Sequence, residues 1–124
     1  MSQSDMLAAV RAALESRPGA EGGALPSTPG VILYKVMGKM FAILEVRKVQ
    51  GVILKCDPHL AEILREQYVG VGQRSHLDRR FWISVSLDVD VPADEILGLI
   101  ERFYGLVCDG LTRKQKAELA AMAG

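Results

Sequence analysis

Cysteine is scarce. Cys56 and Cys108 are the two in 124 residues, too few for a disulfide framework in a chain of this length. That excludes a stapled secreted scaffold, and a reducing cytoplasm is the expected home. An excess of charge of one sign is also missing, because fifteen Lys and Arg offset fifteen Asp and Glu. The balance excludes both a strongly basic, general nucleic-acid binder and an acidic cation sponge. Long hydrophobic runs do not occur. The richest, such as Met40 to Leu44, end at charges, far short of the ~18 uncharged apolar residues that cross a bilayer. The stretch from Leu7 to Val10 is too short for a secretory h-region. No membrane partner is expected.

Catalytic signatures are equally thin. Ser84 and Ser86 are not set in a G-x-S-x-G elbow. Gly70-Val71-Gly72 follows a predicted helix and lacks the remaining glycines of a phosphate cradle, so it reads as a helix stop. Cys56 and His59 stand three apart, with His76 and Cys108 elsewhere, but a structural zinc site shows a second short-spaced pair. The expectation is a non-enzyme without metal or cofactor.

What is present is ample material for a core. Hydrophobic residues make up 49% and charged residues 24%, the proportions of a single domain spanning 1–124. Leu7, Val10 and Leu14 recur at helical spacing until Pro18-Gly19 breaks the pattern. Proline and glycine then mark irregular chain over 18–30, with room for one short extended piece. From Val31 the period becomes two: Val31–Val36, Met40–Val46 and Val52–Lys55 predict three antiparallel strands, the first two joined by a type II′ hairpin at Gly38-Lys39. Asp57-Pro58 opens a helix with Leu60, Ile63, Leu64 and Tyr68 on its buried side. A strand follows over 82–87, with Ile83, Val85 and Leu87 inward and Trp82, Ser84 and Ser86 outward. Pro92 starts the longest helix, and Thr112-x-x-Gln115 is a capping box for a last one. The sum is an α+β domain, an antiparallel sheet with helices packed on one face.

Charge is uneven along the chain. Residues 35–80 carry nine basic and five acidic side chains, whereas 81–124 carry four and seven. Within the basic segment Arg74, His76, Arg79 and Arg80 approach Trp82, and a flat aromatic beside guanidinium groups can stack on bases while neutralising phosphates. The alternative is that Trp82 lies at the sheet end, covered by the 73–80 segment as a peripheral core residue. Lys35, Lys39 and Lys55 could extend a basic surface or could protect the sheet against edge-to-edge aggregation. His76 is the one acid–base residue expected near this surface.

Four segments in order carry a resemblance: Tyr34 to Leu44, Leu54 to Pro58, Ser75 to Trp82, and Val91-Pro92. Together they resemble the MmcQ/YjbR family, whose fold is similar to that of CyaY, the bacterial frataxin. The resemblance implies a double-wing arrangement and DNA binding, with no catalytic residues, and Lys35, Lys39, Lys55, His76 and Trp82 match its pattern. Asp78 stands where the family usually carries Asn, and Phe81 where it carries His. The expectations are therefore DNA binding through Lys35, Lys39, Lys55, Arg74, His76, Arg79, Arg80 and Trp82, or docking of a protein partner on the open sheet face.

Overall fold

The predicted period-two strands form the middle of the sheet, and two further strands complete it at the edges. In the computed structural model, which describes residues 3–24, 27–47, 50–73 and 77–123, the chain runs α1 (Gln3–Glu15), β1 (Ala20–Ala24), β2 (Val31–Val36), β3 (Lys39–Glu45), β4 (Gly51–Lys55), α2 (Pro58–Gln67), β5 (Val71–Gly72), β6 (Trp82–Ser86), α3 (Ala93–Asp109) and α4 (Arg113–Ala123). The strands form one six-stranded sheet in the order β1-β2-β3-β4-β6-β5, and every neighbouring pair is antiparallel. The α+β architecture is as expected.

Register assigns the two faces. Tyr34 stands opposite Ala42, Ala42 opposite Leu54, and Leu54 opposite Ile83. All four side chains are buried in a core shared with Val10 and Leu14 of α1, Leu64 of α2, and Ile96, Ile100 and Phe103 of α3. The alternate row, Leu33, Ile43, Ile53 and Ser84, is in register too and points the other way. Its apolar members lie outside that core. A bulge between β2 and β3 leaves Phe41 without a partner across the ladder, and Phe41 and Ala42 are both fully buried. The Phe41 ring meets Tyr104 edge-on at 5.4 Å.

Local chemistry accounts for most boundaries. Asp57 caps α2 by accepting the His59 N–H at 3.2 Å, with Pro58 at the first helical position, where its missing N–H removes nothing. Thr112 and Gln115 bond reciprocally at 3.0 and 3.1 Å at the start of α4. Two expectations are corrected. The β2–β3 turn centres on Met37-Gly38, both at positive φ, which is the signature of type I′, because Val36 pairs with Lys39. On α2 the buried stripe is rotated: Ala61 and Leu64 are buried and Ile63 is 42% exposed. The helix sits over the narrow β5–β6 end of the sheet, and a small residue permits the close approach.

Candidate interaction surface

The β4–β6 register puts Lys55 directly opposite Trp82, so both project from the face without helices. The Lys55 ammonium lies 5.2 Å from the Trp82 ring centre and 5.4 Å from that of Phe81, within cation–π range. The Arg80 guanidinium stacks on Phe81 at 5.3 Å. Arg80 also grips Asp78 in a two-pronged ion pair, with contacts of 2.8 and 3.1 Å. Its side-chain and backbone hydrogen bonds hold the Asp78 carboxyl down to about 2. Cations and rings thus interleave along one corner: Trp82, Lys55, Phe81, Arg80.

Trp82 shares its face with Ser84 and Ser86, as the alternation requires, yet it is only 8% exposed. A ring so covered offers little area for stacking. The other predicted residues scatter. Lys35 is exposed on the same face, opposite Glu21 on one side and Met40 on the other. Lys39 turns to the helix side, where its ammonium donates to the Gly110 carbonyl at 2.7 Å and complements the C-terminal end of α3. Arg79 is exposed, and its carbonyl accepts from Arg65. Arg74 and His76 lie outside the described residues. The basic constellation therefore resolves into an Arg80–Asp78 pair, a Lys55 ammonium held between rings, and single cations apart from them.

One residue that patterning missed organises the corner. Arg65, in the last turn of α2, donates to the carbonyls of Gly72 at 3.4 Å, Arg79 at 2.6 Å and Trp82 at 2.8 Å. It ties α2 to β5, to β6 and to the turn before β6. Its only sequence signal is that it is the basic residue in the last turn of that helix. Asp90 does similar work, accepting the Val69 and Gly70 N–H groups at 2.8 and 2.7 Å. Cys56 is buried and His59 exposed, and among the described residues no three His, Cys, Asp or Glu side chains are grouped as a metal would need. Nor is any described helix long and apolar enough to cross a membrane.

An antiparallel sheet with helices on one face and a half-apolar opposite face defines a class of small α+β domains, and solved structures share it. A Deinococcus radiodurans protein carrying a DUF419 domain superposes with a TM-score of 0.79 at 27% identity, covering 90% of this chain and 85% of that one. A Pseudomonas syringae protein superposes at 0.67 and 21% identity, over 86% and 98%, which shows the shared fold. The YjbR family model matches residues 15–106, and the chain belongs to the YjbR family. Among curated relatives, the uncharacterized protein YjbR of Escherichia coli strain K12 is 38% identical over 71 residues, which span 56% of this chain and 60% of that protein. The match thus covers less than two thirds of that relative's length. The uncharacterized protein YbdF of Escherichia coli O157:H7 is 28% identical over 92 residues, 73% of this chain and 75% of that protein.

Proposed function

We propose that the protein is a non-enzymatic, cytoplasmic interaction module that docks a protein partner on the helix-free face of its sheet. The observation that carries this reading is the in-register pair Leu33 and Ile43, half-buried on that face and outside the core that the helices cover; Ile53 beside them is buried and adds no contact area. Lys35 and Lys55 stand on the same face. Apolar centres with a charged rim are the composition of protein–protein interfaces. Both cysteines are free thiols, in keeping with a reducing compartment. DNA binding through Lys35, Lys55, Arg79 and Arg80 is the competing reading. It draws less support, because Arg80 is neutralised by Asp78, Lys39 faces the helices and Trp82 is nearly covered.

The two readings separate in one pair of measurements. Affinity capture with the wild-type chain and with Ile43→Glu, matched for folding by circular dichroism, should retain a protein partner on the wild type alone. Titration of Trp82 fluorescence with short duplex and single-stranded DNA at low and high salt should leave the emission unchanged. A DNA-induced change that weakens steeply with salt, as phosphate contacts do, overturns docking in favour of nucleic acid. Identical capture by wild type and Ile43→Glu removes the sheet face as the docking surface.

A further inference from the structure

We propose that the outer edge of β1 pairs with the β1 edge of a second copy of this chain, antiparallel about a two-fold axis through Gly22. β1 is the terminal strand of the sheet, and Glu21 to Ala24 are exposed. A terminal strand presents a row of backbone N–H and C=O groups that can template another strand, and proteins usually blunt it with charged side chains, lysine above all, with proline, a bulge or extreme shortness; Glu21 is the one charge on β1. β5, at the opposite edge, is blunted by having two residues. β1 has five, Ala-Glu-Gly-Gly-Ala, with no lysine, no proline and an unbroken register to β2.

The geometry selects a second copy as the occupant. Pairing about Gly22 sets Ala20 opposite the partner's Ala24 and Glu21 opposite the partner's Gly23, so no two like charges face each other. Glu21 and Gly23 lie on the helix-free face, since their β2 partners are Lys35 and Leu33. There the missing side chain of Gly23 leaves a hollow of about 280 Å³, lined by residues 21–24 with Leu33 and Lys35. The incoming Glu21 enters that hollow beside a lysine, and the two-fold axis repeats the arrangement. The two glycines differ in a telling way. A Cβ at Gly22 would lie 2.8 Å from the Tyr34 ring, so packing within the chain requires glycine there, whereas a Cβ at Gly23 would meet nothing within 4 Å, and its φ is not positive. Neither backbone nor core demands glycine at 23; a facing carboxylate does. Five paired residues per copy fall well below a standard interface, so the dimer is weak and exchanges readily.

Sedimentation equilibrium on the full chain over a wide concentration range tests this. The expected result is a reversible monomer–dimer equilibrium. Gly23→Glu, which sets a carboxylate opposite the partner's Glu21 twice per dimer, should weaken it by about tenfold. Gly23→Lys, which places an ammonium there, should shift it the opposite way. The space around Gly23 lets both variants keep the wild-type melting curve, and Ile43→Glu, away from the edge, should leave the dimerisation constant unchanged. A chain that stays monomeric at the highest concentration, or a dimer indifferent to the sign of the charge at 23, overturns the proposal.

Discussion

The two faces of the sheet are cut from the same strands and behave as different materials. Leu54 and Ile53 are consecutive on β4, and both are almost fully buried, but Leu54 belongs to the core under the helices and Ile53 does not. On the helix side, rings and branched side chains interlock with α1 and α3. On the other side, Ile43 and Ser84 flank Ile53 across the ladder, and the Lys55 ammonium sits over the Trp82 ring. Low exposure alone therefore does not identify the core. What separates the faces is whether a second layer closes over them.

The contrast is sharpest where packing is densest. Phe41, fully buried at the bulge between Tyr34 and Tyr104, should cost about 3–5 kcal/mol when cut to alanine, read from urea denaturation. A loss under about 1 kcal/mol would mean that the bulge region collapses around the hole. The adjacent pair on β4 then compares the faces directly. Leu54→Ala should cost about 2–5 kcal/mol, and Ile53→Ala, as buried as its neighbour but outside the core under the helices, should fall toward the lower end of that range. A cost for Ile53→Ala above that of Leu54→Ala would erase the distinction between the faces.

The helix side also holds its titratable groups neutral. Burial pushes the Cys56 thiol up to about 11. Tyr34, whose hydroxyl donates to Glu15 at 2.9 Å, is pushed up to about 12 by burial and by that carboxylate. Burial raises Tyr104 in the same direction. Between their ordinary values and these raised ones, the unfolded chain releases protons that the folded chain keeps. Stability is therefore complete below about pH 9 and falls as pH rises through 9–12. Chemical denaturation at a series of alkaline pH values reads it. Tyr34→Phe should flatten the upper part of that fall, and an unchanged slope would show that Tyr34 titrates alike in both states.

Sequence reading recovers what short-range chemistry decides. The α2 cap at Asp57-Pro58, the Thr112–Gln115 box and the outward face of Trp82 all depend on residues within a few positions of one another. The edge strands are the least legible: the short extended piece expected within 18–30 is β1, whose Glu21-Gly22-Gly23 has neither β-propensity nor alternation to fix its bounds, and Val71-Gly72 is too short to have a period. The site was legible in part. Alternation gives the side of the sheet that Trp82 occupies, but its Lys55 neighbour comes from a β4–β6 pairing made across the whole of α2. The Lys39 bond reaches Gly110, 71 residues away, and no local pattern turns that lysine toward the helices. Charge counts placed nine basic residues in the middle segment; only the fold shows Arg80 held by Asp78 and Arg65 spent on three carbonyls.

The smallest expected effect tests the helix-free face at its covered corner. Lys55 places its ammonium against the Trp82 and Phe81 rings, within cation–π range. Lys55→Ala should remove about 0.5–1 kcal/mol of stability, close to the precision of a denaturation curve. The fluorescence change should be much larger than that precision. Trp82 is the only tryptophan, and uncovering it should shift its emission to longer wavelength and raise its quenching by acrylamide. Lys35→Ala, on the same face but paired with Glu21 and Met40, should change neither. If Lys55→Ala also leaves emission and quenching unchanged, the indole is covered by something other than this lysine. If both variants change them equally, the face responds as one surface and the corner at Lys55 is not distinct from the rest of it.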